Sequence, residues 1–379
     1  MVRVVYADGP SAPRVAPDVA LAAAGVRTGP PHVALGWTLE RHPWLDDPNL
    51  TGVTYLGGYG LAPAIRDGRI RPLPVRLSAV PAILEFDPPD LGVIAVVRRG
   101  RGYAFSGSVG WGDVLARVAD RIVVEIDERG VDLGGPDVCG NIVGEVDRPA
   151  VAHDAVVNPR PADDIDLRIG RSVASLLPDG ASLQFGPGGV GEGVARALDR
   201  PVRIWSGLCT DAIASLHERK LLAAPVVAAY TQGGPPIRRL AEAGMLDLTS
   251  TTVTHDLSKL SAIPRFVGCN TALQVGLDGA VNLERVAGRP IAAIGGHSDF
   301  CTGASRSVGG MSIIAVRSTT RHDESTIVPR VDVVSTQRSD VDVVITEYGI
   351  AELRGVDDGT RTERLIAIAR PDHRTALSG

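Results

Sequence analysis

Leu183 to Leu198, LQFGPGGVGEGVARAL, is a short apolar run that enters a glycine-rich turn and leaves it as an amphipathic helix. A buried strand followed at once by a helix is the repeating unit of a parallel sheet with crossover helices. Gly186, Gly188 and Gly189 let backbone approach a ligand closely, and the helix N-terminus behind them favours an anion. The spacing is neither that of a lysine-bearing phosphate loop nor a clean dinucleotide fingerprint. A turn needed only for strand-to-helix packing is therefore the competing reading.

The same alternation extends in both directions. Upstream, IDLRIGRSVASLLPDG predicts an amphipathic helix closing at Asp179-Gly180. Downstream, VRIWSG, PVVAAYT, RFVGCN, IAAIGG, SIIAVRS and VDVVITEYG predict strands, the last followed by a short helix. Between Pro31 and about Asp132, HVALGW, VTYLGGYG, PLPVRL, LGVIAVV and DRIVVEID predict a second series of strands, with GWGDVLARVA as a helix. Val143 to Asp164, VGEVDRPAVAHDAVVNPRPADD, has three prolines and no clear period, and reads as a linker. The expected organisation is two α/β domains, residues 1–160 and 161–379, without a fixed-period repeat.

Length and composition agree, since 379 residues suffice for two or more domains of roughly 100–200 residues each. A net charge of -5 gives no field that would attract a polyanion, so small ligands are expected rather than nucleic acid. Of the 39 basic residues only Lys220 and Lys259 are lysines, so any bound phosphate would meet arginine forks, helix N-termini or backbone amides. Arg98, Arg99 and Arg101 form the densest basic cluster, either a phosphate grip or solvated surface. Cys139, Cys209, Cys269 and Cys301 lack CxxC spacing, which points away from a zinc site or a disulfide framework and towards a reducing cytoplasm. No run of 18 apolar residues suggests a membrane span. A soluble, metal-free protein is expected.

Two further stretches carry chemistry. Thr271 to Ala304, TALQVGLDGAVNLERVAGRPIAAIGGHSDFCTGA, sets the amide of Gln274 and the imidazole of His297 on either side of a glycine turn. Gly295 and Gly296 could offer backbone N–H groups to an oxyanion. His297, Asp299 and Cys301 alternate, so they share a face if extended and cluster if turned. A histidine near a carboxylate can act as a general base, and a cysteine near a histidine as a nucleophile; a purely structural loop is the alternative. In VDVVITEYGIAELRG, Val341 to Gly355, Glu347, Tyr348 and Gly349 fall at the end of a buried strand, where α/β sheets hold ligands, although Glu347 could equally cap a helix or pair with an arginine.

Taken in this order, the motifs resemble the acetyl-CoA hydrolase/transferase family of class I CoA-transferases, which includes 4-hydroxybutyrate and butyryl CoA-transferases. GGHSDFCTGAS is similar to the family's GG-Q-x-D-F-x-x-G-A, GGMSIIAVRSTT to its GGKSIIALPST, and VDVVITEYGIAELRG to its V-x-Y-V-V-T-E-Y-G-x-A-x-L-R-G. SLQFGPGGVGEGV resembles its T-L-Q-x-G-I-G, and LIAIARPDHR its LI-x-IAHPDFR. The resemblance implies a CoA-transferase fold of two similar open α/β domains with the active site between them. It also implies coenzyme A thioesters as substrates, Gly295, Gly296, Phe300 and the glycine turn near the oxyanion and CoA, and a homodimer or larger homo-oligomer.

In that family a glutamate attacks the thioester and passes CoA on through an anhydride. Aligned without gaps, its position holds Gln274, the following aspartate position holds Gly276, the oxyanion glutamine is His297, and a frequent lysine is Met311. An amide cannot form the anhydride. The leading expectation is therefore an acyl-thioester enzyme that works without a covalent glutamyl step. In it Gln274 orients a carbonyl or a water, His297 acts as base beside Asp299, and Cys301 is the nearest alternative nucleophile. Two other readings stay open: CoA transfer through another carboxylate, Glu284 or Glu347, and a catalytically silent acyl-CoA-binding protein.

Overall fold

Runs of valine and isoleucine bounded by glycine and proline become the strands of two mainly parallel sheets. The computed structural model describes residues 2–26, 31–150 and 161–378. The chain divides into two compact units, Met1–Asn158 with Val227–Thr254, and Pro159–Val226 with His255–Gly379. The units thus interleave along the chain, where the sequence had suggested one continuous boundary at residue 160. Among the described residues no helix is long and apolar enough to cross a membrane.

The first unit carries β1 (Arg3–Tyr6), β2 (His32–Leu35), β3 (Thr51–Thr54), β4 (Ile70–Pro72), β5 (Leu91–Arg99), β6 (Gly102–Phe105), β7 (Ile122–Ile126) and β8 (Ile142–Asp147). Their order is β4-β3-β2-β1-β5-β7-β8, with β6 antiparallel to β5 and the other pairs parallel. Val4, Val33, Leu91, Val93 and Val123 meet in its core. Burying side chains of this size contributes about 1.5–3 kcal/mol each. The excursion around Val227–Thr254 carries β11 (Val226–Gln232) and β12 (Leu246–Leu248).

The second unit carries β9 (Ser182–Phe185), β10 (Arg203–Thr210), β13 (Phe266–Asn270), β14 (Gln274–Gly276), β15 (Val281–Asn282), β16 (Arg285–Val286), β17 (Arg289–Pro290), β18 (Met311–Ala315), β19 (Ile327–Val328), β20 (Val343–Thr346) and β21 (Gly349–Glu352). In its main sheet the order runs β10-β9-β13-β18-β20-β21. β9 therefore lies between its successor on one side and β13 on the other. That reversal is a topological switch point, where open α/β sheets hold ligands at the carboxyl ends of their strands. The small sheet β15-β14-β19 lies apart from the main one.

Helix Asp164–Leu176 begins with a reciprocal cap: the Asp163 side chain accepts from Ile165 and Asp166 N–H, and the Asp166 side chain accepts from Asp163 N–H. Arg317 holds Asp163 at 3.0 Å. This helix crosses the helix Gly189–Ala197 so closely that a Cβ on Gly170 would meet the Gly193 backbone, and a Cβ on Gly193 the Asp166 carbonyl. The pair of glycines places the N-terminus of Gly189–Ala197 at the end of β9.

Four local expectations are corrected. Val143–Asp147 belongs to β8, an edge strand with alternate residues exposed, which is why it lacks a continuous apolar run; of the rest of the expected linker, 151–160 lie outside the described residues, and its last residue, Asp164, already begins a helix. In PLPVRL the ladder ends at Pro72, since Pro72 and Pro74 have no N–H to extend it. IAAIGG is not a strand: Ile291 is 49% exposed, and its N–H and that of Ala292 both donate to the Glu284 carbonyl. TEYG is the turn of a β20–β21 hairpin, Thr346 pairing with Gly349, and no helix begins there.

Candidate active site

A cleft of about 260 Å³ opens at the carboxyl ends of β9, β13 and β18. Its walls include Phe185 and the glycine turn Gly186–Gly191, Asn270 and Thr271, and Arg317. Gly188 is the N-cap of the nine-residue helix that follows, so free helix N–H groups and their partial positive charge border the cleft. Gly186, Gly188 and Gly189 are thus brought to one cavity.

From the cleft a chain of hydrogen bonds leads into the protein. Gln184, on β9, donates to Asn270 Oδ1 at 3.3 Å, and Asn270 Nδ2 donates to Cys301 Sγ at 3.6 Å. Cys301 Sγ is 3.5 Å from His297 Nδ1, which is also 3.0 Å from Thr336 Oγ1. Ser298 Oγ lies 2.7 Å from Thr336 Oγ1 and donates to the Ser335 carbonyl at 2.6 Å. His297 and Cys301 meet because GGHSDFCTGAS is helical, His297–Arg306, and positions four apart share a face. Asp299 is buried in the first turn but lies two positions on, towards the opposite side of that helix. His297 Nδ1 faces Thr336 and Cys301.

Burial lowers the His297 pKa to about 4, with the Thr271 backbone acting the other way. The ring is therefore neutral at neutral pH, and its Nε2 is buried without a hydrogen bond of ordinary geometry. Burial pushes the Cys301 thiol up to about 12. A thiol with that pKa, packed among Val275, Ile314 and Val344, is a poor source of thiolate.

Gly296 caps the helix over a second histidine. A Cβ at Gly296 would collide with His255 Nε2, so only glycine admits this approach. His255 is buried and packs against Phe300 with ring centroids 4.6 Å apart and the rings tilted by 50°, and Phe300 joins Leu260, Phe266 and Ala304 in an apolar cluster. Phe300 thus supports the helix from below.

Gln274 begins β14 opposite Asn282 on β15. Asn282 Oδ1 accepts from Glu284 and Arg285 N–H, while its Nδ2 donates to the Arg285 carbonyl and to Gln274 Oε1 at 2.9 Å. The backbone therefore dictates which way Asn282 points, and Asn282 dictates that Gln274 offers its carbonyl inward. Glu284 accepts from Ser335 Oγ at 2.6 Å, which ties it to the segment that holds His297. Glu347 accepts from Ser318 N–H and Oγ at 2.9 and 2.6 Å, holding the loop after β18; Tyr348 beside it is 44% exposed.

Arg98 pairs with Glu128 and Glu145, and Arg99 with Asp132 and Asp137, so the basic cluster of the first unit faces carboxylates. Asn282, Thr336, Ser335, Asn270 and His255 were not singled out from the sequence. All but Asn282, which lies eight residues from Gln274, are distant along the chain from the residue they hold, and no spacing rule connects them.

An α/β sheet with glycine-lined space and convergent polar groups at its switch point defines a small-molecule-binding protein of the doubly wound kind. Residues 238–379 match the acetyl-CoA hydrolase/transferase C-terminal domain. The chain is 28% identical over 337 residues to the succinyl-CoA:acetate/propanoyl-CoA:succinate CoA transferase of Fasciola hepatica, covering 83% of this chain and 70% of that one. It is 28% identical over 335 residues to the 4-hydroxybutyrate coenzyme A transferase of Clostridium kluyveri, covering 83% and 78%. The crystal structure of a 4-hydroxybutyrate CoA-transferase from Porphyromonas gingivalis matches 100% of this chain and 92% of that one at 27% identity, with a TM-score of 0.74. The chain is thus similar to the acetyl-CoA hydrolase/transferase family over its C-terminal part and to CoA-transferases over most of its length.

Proposed function

We propose that this chain is a member of the acetyl-CoA hydrolase/transferase family, an acyl-thioester enzyme that processes acyl-CoA without a covalent glutamyl intermediate, with His297 as its general base. The observation that carries the reading is a neutral imidazole whose Nε2 is buried without a hydrogen bond of ordinary geometry, the ring lying two hydrogen bonds along a polar chain from the glycine-lined cleft. A nitrogen in that condition can take a proton from water or from a substrate nucleophile. Gln274, with its carbonyl held by Asn282, keeps its NH₂ for a carbonyl or a water. Gly295 and Gly296, at the start of helix His297–Arg306, supply N–H groups for the oxyanion. Gly186, Gly188 and Gly189 border the CoA chain. Asp299 contributes from the first helical turn, and Glu347, Tyr348 and Gly349 shape the end of β20.

Free thiol and exchange of acyl groups between CoA species, followed with a panel of acyl-CoAs with and without a carboxylate acceptor, separate the possible reactions. Thiol release without the acceptor is expected; efficient label exchange into a second acyl-CoA would sink the reading. His297→Ala should lower kcat by about 10²–10⁴-fold, and full activity in that variant would remove the base assignment.

One second reading has its own support. Glu284 shares the Asn282 and Ser335 network with Gln274 and His297, so a transferase using Glu284 as its carboxylate is the alternative to test. Glu284→Gln distinguishes the two, since it abolishes covalent transfer and leaves His297-driven chemistry in place.

A further inference from the structure

A neutral imidazole carries its proton on one ring nitrogen only, and a base needs the other nitrogen bare. The hydroxyls beside His297 Nδ1 decide which is which. Ser298 Oγ is 2.6 Å from the Ser335 carbonyl, which can only accept, so the single serine proton is committed there. The 2.7 Å contact between Ser298 Oγ and Thr336 Oγ1 then requires the threonine proton. Thr336 Oγ1 has only lone pairs left for His297 Nδ1 at 3.0 Å, so Nδ1 must carry the hydrogen. Cys301 Sγ, already accepting from Asn270 Nδ2, is a second acceptor for that hydrogen at 3.5 Å. The opposite tautomer leaves one of the two short oxygen contacts with no proton between its atoms, which costs more than a hydrogen bond forgone.

We infer that Thr336 and Ser298 are positioning residues that hold His297 in its Nδ1–H tautomer, so that Nε2 is the bare, proton-accepting nitrogen of the site. This deepens the proposed function and rests on its reading of His297 as base. In the step it serves, water or a substrate nucleophile loses its proton to Nε2 as its lone pair bonds to the thioester carbonyl carbon. The carbon–sulfur bond then breaks, and the proton returns from Nε2 to the CoA sulfur. Between those events the Thr271 backbone, which favours the charged ring, helps to hold the imidazolium.

The tautomer is read directly from a long-range ¹H–¹⁵N correlation spectrum of the full chain with ¹⁵N-labelled histidine, the His297 signals being assigned by their loss in His297→Gln. At neutral pH, Nδ1 is expected at a protonated and Nε2 at a bare-nitrogen shift. Thr336→Val should move both towards a mixed population and lower kcat about 10–100-fold with little change in KM, and Thr336→Ser should restore both. A wild-type spectrum with the proton on Nε2 overturns the inference, as does a Thr336→Val protein that keeps the wild-type tautomer. Full activity of His297→Ala would instead remove the base reading, so the two failures are distinguishable. The wild-type spectrum decides the tautomer even if a variant fails to fold.

Discussion

Asn282 uses both ends of its amide on neighbouring backbone and still has a donor for position 274, and a donor suits a carboxylate as well as an amide carbonyl. Gln274→Glu should therefore fold with its stability changed by no more than about 1 kcal/mol. If position 274 is that of the family's nucleophile, the variant should gain a glutamyl-CoA adduct, detectable as an intact-mass increase after exposure to acyl-CoA. A correctly folded variant that never yields the adduct would count against the alignment of Gln274 with the nucleophile. His297 gives a second prediction at this scale. Burial holds its pKa at about 4, and a base works only when unprotonated, so kcat/KM should persist through pH 6 and fall only as pH drops towards 4. An acid limb centred near the ordinary histidine value would mean that the ring is more solvated than its packing indicates.

Helix Gly189–Ala197 reaches the cleft because two glycines let it cross helix Asp164–Leu176 at backbone contact. Gly193→Ala should push the helices apart, destabilise the protein by about 1–3 kcal/mol and raise the KM for acyl-CoA more than it lowers kcat. Thermal unfolding and steady-state kinetics check both, and an unperturbed KM would detach the glycine turn from substrate binding. The β20–β21 hairpin is the contrasting case. Its turn reads like the start of a helix, since Glu347 to Ala351 offers no β-specific punctuation beyond one glycine. The antiparallel partner strand makes it a hairpin, and Glu347 then fastens Ser318 instead of capping a helix.

At the scale of the whole molecule, buried titrating groups pull stability in opposite directions with pH. Asp8, in the first unit, accepts from Tyr230 at 2.8 Å, yet burial raises its pKa to about 7. Its contribution is present below the unfolded value near 4 and is lost as pH rises to 7. His42, His255 and His297 are lowered by burial to about 4, about 3 and about 4, so their contribution is present above the unfolded value near 6.5 and is lost as pH falls. Asp8→Asn should stabilise the protein at pH 8 relative to pH 4 by on the order of 2–4 kcal/mol, and should leave the acid limb intact. Denaturant midpoints of wild type and variant at the two pH values check this, and equal shifts at both would refute the assignment to Asp8.

Local chemistry alone determined the α/β class, the strand-to-helix glycine turn, the amphipathic helix that follows the expected linker and the order of motifs that carries the family resemblance. Apolar runs, caps and turn residues act over a few positions, so they can be read without the fold. The tertiary structure alone decided that Val227–Thr254 belongs with the first unit and that an exposed edge strand occupies part of the expected linker. It also decided that His297 is held by Thr336 and Cys301, with Asp299 on another side of the helix. Hydrogen-bond partners and desolvation depend on residues far apart in the chain, and the chemistry of Gln274, His297 and Cys301 is set by those two quantities.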